Sequence, residues 1–385
     1  LPPPLRQSVP MRRSLLALTF LAIAAPLDAQ TITTIAGNGE QGAGPDGALA
    51  TESPLFMLQW TPAGVVFDRD GNLYFSESGS NRVRRIDSKS GRIFTVAGSG
   101  EAGYSGDGGP ATAAKLREPG DLAFDKAGNL CVADVGNNLI RRIDLKSGII
   151  ETFAGTRRIG FTKDGSLVTA TPIGRPVGIA FDDAGNFYVM EPYASRLLGV
   201  DAKTRIVRTI VGDGTLLLRL DAKKGTDTGL AIPTAVRVTS KGEIVFSVTD
   251  CNAVLKVNPK TGDLTPIAGT KLIGLTGDGG PATRARLCTP TVLALDRGDN
   301  IWVSDMGNSV IRRIDARTGI IETRVGSGRV NRWGETEMAG FDGDGGPASK
   351  AQINRPTGLG FDRDGNLYIL DALNNRIRKV ENAAR

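Results

Sequence analysis

Six stretches of this chain repeat one pattern at a fixed interval, and that period limits the available folds more than any other feature. The residue ending the first apolar run of each unit is Asp68, Asp125, Asp182, Thr239, Asp296 and Asp362, so successive spacings are 57, 57, 57, 57 and 66. The last spacing is lengthened by an insertion around residues 331–343. Six residues before each stands a proline: Pro62, Pro119, Pro176, Pro233, Pro290 and Pro356. A unit of this length cannot bury its own apolar surface, so neighbouring units must stack.

Each unit reads as four short strands. The proline suits the start of the first, because it cannot donate a ladder hydrogen bond. An Asp-x-x-Gly-Asn turn follows, whose Asp can accept from turn amides while the glycine supplies a left-handed residue. That glycine position holds Gly71, Gly128, Gly185, Gly242, Asp299 and Gly365; Asp is one of the few residues that tolerates the conformation. A second strand (LYFSE, LCVAD, FYVME, IVFSV, IWVSD, LYILD), a polar loop, a third strand (RVRRID, LIRRID) and a fourth of pattern I-x-T-x-A-G complete the unit. The sixth unit stops after its third strand, whereas the folded part of the chain opens on a lone fourth one, TITTIAG. Pairing the two closes a ring and leaves no open edge. The pattern therefore predicts an all-β, six-bladed β-propeller of four-stranded antiparallel blades, its N-terminal strand (30–37) closing the last blade. Blades are expected at 60–98, 118–155, 175–212, 232–269, 289–326 and 355–385. The 50 glycines among 385 residues suit so many tight turns.

Residues 1–29 read as an address rather than structure. Met11-Arg12-Arg13 is basic, Leu15 to Ala25 is apolar but short for a span, and Ala29 is the small residue a signal peptidase needs. Residues 1–10 read as an over-extended gene start. The expected location is secreted or periplasmic, with no stable membrane insertion, because no later apolar run approaches about 20 residues. Basic and acidic residues number 47 and 41 and are interspersed, so the net charge of +6 forms no tract and a nucleic-acid partner is not expected. The expected oligomeric state is a monomer.

The pattern GNLYxxD…NNxIRxID, with GDGGPA at 106–111, 277–282 and 343–348, resembles the NHL repeat, particularly that of secreted bacterial NHL-repeat proteins. The resemblance covers Gln30 to Arg385. It implies the fold and leaves the activity open, because propellers of this kind include binding modules and enzymes. The fourth unit departs from it, with Val248 where others carry an acid and Thr239 for the turn Asp.

Loops from strand four to the next strand one, and from strand two to three, should share a face around the central channel, bringing GDGGPA and the acids Glu77, Asp134, Glu191, Asp305 and Asp371 to it. The acids read as loop caps and GDGGPA as a compact turn, since no Lys-Ser/Thr follows it. Arg84, Arg141, Arg312 and Arg378 read either as a basic stripe or as paired charge on outer blade surfaces. Residues the repeat does not require are more informative. Glu118, Asp121, Arg175 and Arg355 near the channel mouth form a mixed-charge cluster suited to a polar or anionic ligand. Tyr193 and Trp333 would add aromatic platforms, joined by Trp60, Tyr104 and Phe341.

The chain has no histidine, which removes the His-dependent lyases among related propellers. The reading the residues support is a non-catalytic module, without cofactor, that binds an extracellular polypeptide or glycan. The alternative is a lactonase or esterase of the gluconolactonase-like type, using Glu118, Asp121 and Glu191 around a divalent cation such as calcium. A purely structural envelope protein is the third possibility. Cys251 and Cys288 fall on one face of adjacent blades and are expected to form a disulfide, whereas Cys131 should be buried between blades.

Overall fold

A computed structural model describes residues 30–158, 160–328 and 340–384. The expected signal segment lies outside these residues. Six four-stranded antiparallel sheets follow one another around a central axis. The second blade shows the plan: an inner strand Pro119–Phe124, then Leu130–Asp134, Leu139–Asp144 and the outer Ile149–Ala154. Every turn between first and second strands is built as its sequence implies. Asp68 Oδ1 accepts from the amides of Asp70 and Asn72, each at 2.9 Å, and Oδ2 accepts from Asn72 Nδ2 and the Tyr74 hydroxyl. Asp299, at the one non-glycine position of that turn, has φ of +59°. In the fourth blade Thr239 Oγ1 takes over the role, accepting from the Glu243 amide at 3.2 Å.

Ring closure is the predicted one. Strand Ile32–Ala36 pairs antiparallel with Arg376–Val380, with Ile32 opposite Val380, and completes the sixth sheet. Ile32 and Ala36 are fully buried by it.

Blades stack face to face through apolar side chains, so the core is a series of layers between blades. Phe75, Phe187, Phe246 and Trp302 are buried at such interfaces, each contributing about 1.5–3 kcal/mol of transfer free energy. Cys131 lies fully buried in the same position as Tyr74 and Trp302 in their blades, as expected. Near the axis the inner strands converge until backbones touch. A Cβ on Gly178 would overlap the Thr234 carbonyl oxygen of the next blade, so this position tolerates no side chain directed that way.

Two expectations about surface placement are corrected. Arg84, Arg141, Arg312 and Arg378 lie on no outer surface; all four are fully buried inside their blades. Each bridges the acid at the end of strand two and the Asp of the preceding GDG-type loop: Arg141 Nη1 lies 3.5 Å from Asp134 Oδ2 and Nη2 2.5 Å from Asp107 Oδ1. GDGGPA, in turn, does not join the channel mouth. It runs along the outer edge of the following blade, where the Gly108 amide donates to Ile150 O and the Ala111 amide to Gly148 O. Asp46, in the degenerate copy GPDGA at 44–48, and Asp164 occupy the same position, each accepting from the amide and hydroxyl of a threonine on an outer strand.

Blade four replaces this polar cluster as a set. Val248 stands for the acid, Leu255 for the arginine and Cys251 for the loop asparagine, and Val248 and Leu255 are fully buried. The Cys251 thiol lies beside the backbone of Ala231 and Leu218 in the preceding loop.

Candidate functional site

The turn from strand two to strand three ends, in all six blades, on a residue with left-handed backbone: Asn81, Asn138, Ser195, Asn252, Ser309 and Asn375. Four of these side chains reach the next blade, Ser309 through its Oγ, which accepts from the Arg355 amide at 3.4 Å, and the other three through asparagine. The amides of Glu118, Arg175 and Thr289 donate to the Oδ1 atoms of Asn81, Asn138 and Asn252 at 3.1, 3.0 and 2.8 Å. The residue before the next proline adopts an unusual conformation whether or not its amide has such an acceptor, since Ile232 shares it. Glu118, Arg175, Ile232, Thr289 and Arg355 all have φ between 46° and 50°. For a β-branched Ile or Thr this costs on the order of 1–3 kcal/mol. Strain of this kind rings the proline-side face of the channel, with the side chains partly or fully exposed.

Two groups stand out on that ring. Arg175 Nη2 lies 2.9 Å from Glu118 Oε2, and its guanidinium sits 5.6 Å from the centre of the Tyr193 ring, which is 65% exposed. Arg355 lies 4.3 Å from the centre of the Trp60 ring, 63% exposed. Exposed ion pairs and cation–π contacts contribute about 0–1 kcal/mol each. Their effect is therefore to orient two large, solvent-facing rings with charge beneath them.

Of the predicted site residues, the structure brings Glu118, Arg175 and Tyr193 together and places Arg355 with Trp60. Trp333 lies outside the described residues. Tyr104 and Phe341 do not join the mouth: Tyr104 stacks between Arg141 and Arg157, and Phe341 under Arg376 and Arg378. Asp121 leaves the cluster as well. It is buried on the inner strand, bonded to Arg237 of blade four at 2.7 and 3.2 Å and to the Leu122 and Ile179 amides. Sequence reasoning did not single out Arg237, although the other blades carry Val66, Ala123, Ala180, Ala294 and Gly360 at its position; an arginine among small residues was the available signal.

The acids at the ends of the second strands are loop caps. Asp134, Asp305 and Asp371 accept from the amides of Arg117, Cys288 and Asn354 at 2.6–2.7 Å and from the loop asparagines. Burial raises the Asp134 and Asp371 pKa to about 6 and that of Asp305 to about 7, against the opposing pull of these donors and of the buried arginines. Glu191 is also raised by burial. It accepts from Thr162 Oγ1, the Gly174 amide and Arg196 inside blade three, away from Glu118 and Asp121. The three carboxylates of the alternative metal set thus occupy three different environments. Among the described residues no three His, Cys, Asp or Glu side chains gather as a metal site.

Cys251 and Cys288 are free thiols rather than the expected disulfide. Each turns into its own blade: Cys251 toward Ala231 and Leu218, Cys288 against Gly307.

Comparison with known proteins supports the repeat assignment. The NHL repeat model matches residues 116–143, the inner three strands of blade two. The chain is 27% identical over 300 residues to the chloroplastic protein Suppressor of Quenching 1 of Arabidopsis thaliana, covering 75% of this chain and 27% of that protein. It is 27% identical over 292 residues to human Teneurin-4, covering 66% of this chain and 10% of that one. The chain thus spans about a quarter or less of these relatives. An auxiliary nutrient binding protein from Bacteroides ovatus superposes with a TM-score of 0.63 at 17% identity, over 92% of this chain and 76% of that one, a likeness of fold. No helix among the described residues is long and apolar enough to cross a membrane. The repeated residues and the closed ring of four-stranded blades make the chain a six-bladed β-propeller, and the family model identifies the repeat of its second blade as an NHL repeat.

Proposed function

We propose that the chain is a secreted or periplasmic, non-catalytic binding module that takes a polypeptide or glycan on the proline-side face of its ring. The observation that carries this reading is the pair of exposed rings, Trp60 and Tyr193, each set over a guanidinium whose backbone is fixed beside the channel mouth. Exposed aromatic residues with charged neighbours dominate the energetics of many recognition surfaces. The superposable Bacteroides proteins described as nutrient binding proteins agree with a binding role at the level of fold.

Glycan and peptide arrays, followed by calorimetry on the best ligand, test it. Trp60→Ala and Tyr193→Ala should each weaken binding about tenfold or more while leaving the thermal midpoint within a few degrees. Unchanged affinity in both variants would remove this face from the function. Turnover of a lactone or ester that survives in both variants would overturn the non-catalytic reading.

A further inference from the structure

At the opposite end of the channel, where the turns between first and second strands meet, the inner strands line an open cavity of about 530 Å³. This volume lies within the range of small-molecule sites, about 300–1,000 Å³. The apolar part of its wall is formed by residues such as Phe67, Leu122, Ile179 and Phe361. Three cations line it: Arg237 on an inner strand, and Arg297 and Arg363 in the turns.

The propeller framework does not require Arg237. Five blades build the same position with Val66, Ala123, Ala180, Ala294 and Gly360, and these five residues line the cavity with Arg237. Burying most of an arginine there costs desolvation, and its partner Asp121 is equally exceptional, standing where other blades carry Gly64, Gly178, Ala235, Val292 and Gly358. Two departures from the repeat, 116 residues apart, meet in one salt bridge that spans from blade two to blade four.

The geometry of that bridge fixes what is left over. Asp121 meets the Nη1–Nη2 end of the guanidinium, and Nη1 also donates to Val236 O at 2.7 Å. Nε and the second Nη2 hydrogen, which form the other edge of the fork, have no protein acceptor among the described residues. A guanidinium presents two such edges, each matching a carboxylate. The acids on the wall offer nothing in return. Asp68 and Asp362 spend both oxygens on the amides, asparagine and tyrosine of their own turns. The cavity therefore supplies open donors and apolar surface, and no free acceptor carboxylate.

We propose that this cavity binds a small organic monocarboxylate, its apolar body in the throat and its carboxylate on the free edge of Arg237. Asp121 positions the guanidinium and does not touch the ligand. The site is separate from the aromatic platforms on the other face, and neither depends on the other.

The test is calorimetry on the full chain with a panel of straight-chain, branched and aromatic monocarboxylates, hexanoate among them, each matched to its neutral amide. The informative variant is the double substitution Asp121→Gly with Arg237→Ala, which installs residues that other blades already use there and avoids stranding either charge. Thermal unfolding and circular dichroism confirm its fold. At least one carboxylate should bind the wild type about tenfold or more tighter than its amide, and the double variant should lose that preference. The proposal fails if no carboxylate binds the wild type, if amides bind equally well, or if the folded double variant keeps the preference. Trp60→Ala, which acts on the opposite face, should leave carboxylate binding unchanged; an equal loss there would also refute the assignment.

Discussion

The buried cluster in blade two gives the sharpest test of how this ring is held together. Arg141→Leu removes the cation between Asp134 and Asp107 and takes away the donor that Ser105 O accepts from at 3.2 Å. Asp107 is one-third exposed and keeps Thr152 and Tyr104 as donors, so it adapts. Asp134 is fully buried and left with only the Arg117 amide and Asn137. Breaking a buried pair from one side costs about 3–5 kcal/mol. Blade four shows another arrangement of the same site, with Val248, Cys251 and Leu255. The triple variant Asp134→Val, Asn137→Cys, Arg141→Leu copies it, and replacing a whole buried ion cluster with apolar groups is about neutral, within roughly 1–2 kcal/mol. Urea titration followed by tryptophan fluorescence should therefore show the single variant far less stable than the triple. The deficit of the single variant should also shrink between about pH 8 and about pH 5, because a lone buried carboxylate relieves its cost by taking a proton. A triple variant as unstable as the single one would refute the idea that the clusters are interchangeable solutions to one packing problem.

Stability should pass through a maximum in mild acid. Asp134, Asp305 and Asp371 have folded-state pKa values above the ordinary 3.8, so the folded state binds the extra protons and their contribution is lost as pH rises through about 6 to 7. Asp87, Asp144, Asp201 and Asp315 are depressed by turn amides, Asp315 to about 2, so their stabilisation disappears only as pH falls below about 4. A thermal midpoint that climbs steadily from pH 5 to pH 8 would contradict this. Ile232→Gly should raise stability by about 0.5–1 kcal/mol, because the φ of +50° suits glycine and the side chain is 43% exposed; a loss larger than that in urea titration would show that the conformation is not strained. Deleting residues 30–37 uncovers the edge of Arg376–Val380, and light scattering should detect self-association; an equally stable monomer would refute closure by this strand.

The period was legible because every unit spends its turn Asp, its glycine and its proline on the same backbone geometry. Closure was legible because one strand was missing from the end and one was spare at the start. What escaped was radial depth. Arg141 and Arg142 are adjacent and identical, yet the first is fully buried and the second about one-third exposed; only the alternation of a paired strand decides which faces the blade interior. GDGGPA was visible as a motif, but its path along the outer edge of the next blade depends on long-range pairing with Gly148 and Ile150. Asp121 was singled out correctly as exceptional and assigned to the wrong neighbours, since its partner Arg237 lies two blades away. The disulfide failed for a related reason: a shared face does not fix where a side chain turns.

The register of the closing strand has a mechanical consequence. Ile32 faces Val380 and Ala36 faces Ile377, so the two outgoing ends of the chain leave from the same end of that ladder. Thermal agitation must melt the whole of the sixth sheet, but tension applied through residues 30 and 384 would load one interstrand bond at a time. The ring should accordingly withstand heat better than pulling, and open under force like a zipper, blade six first.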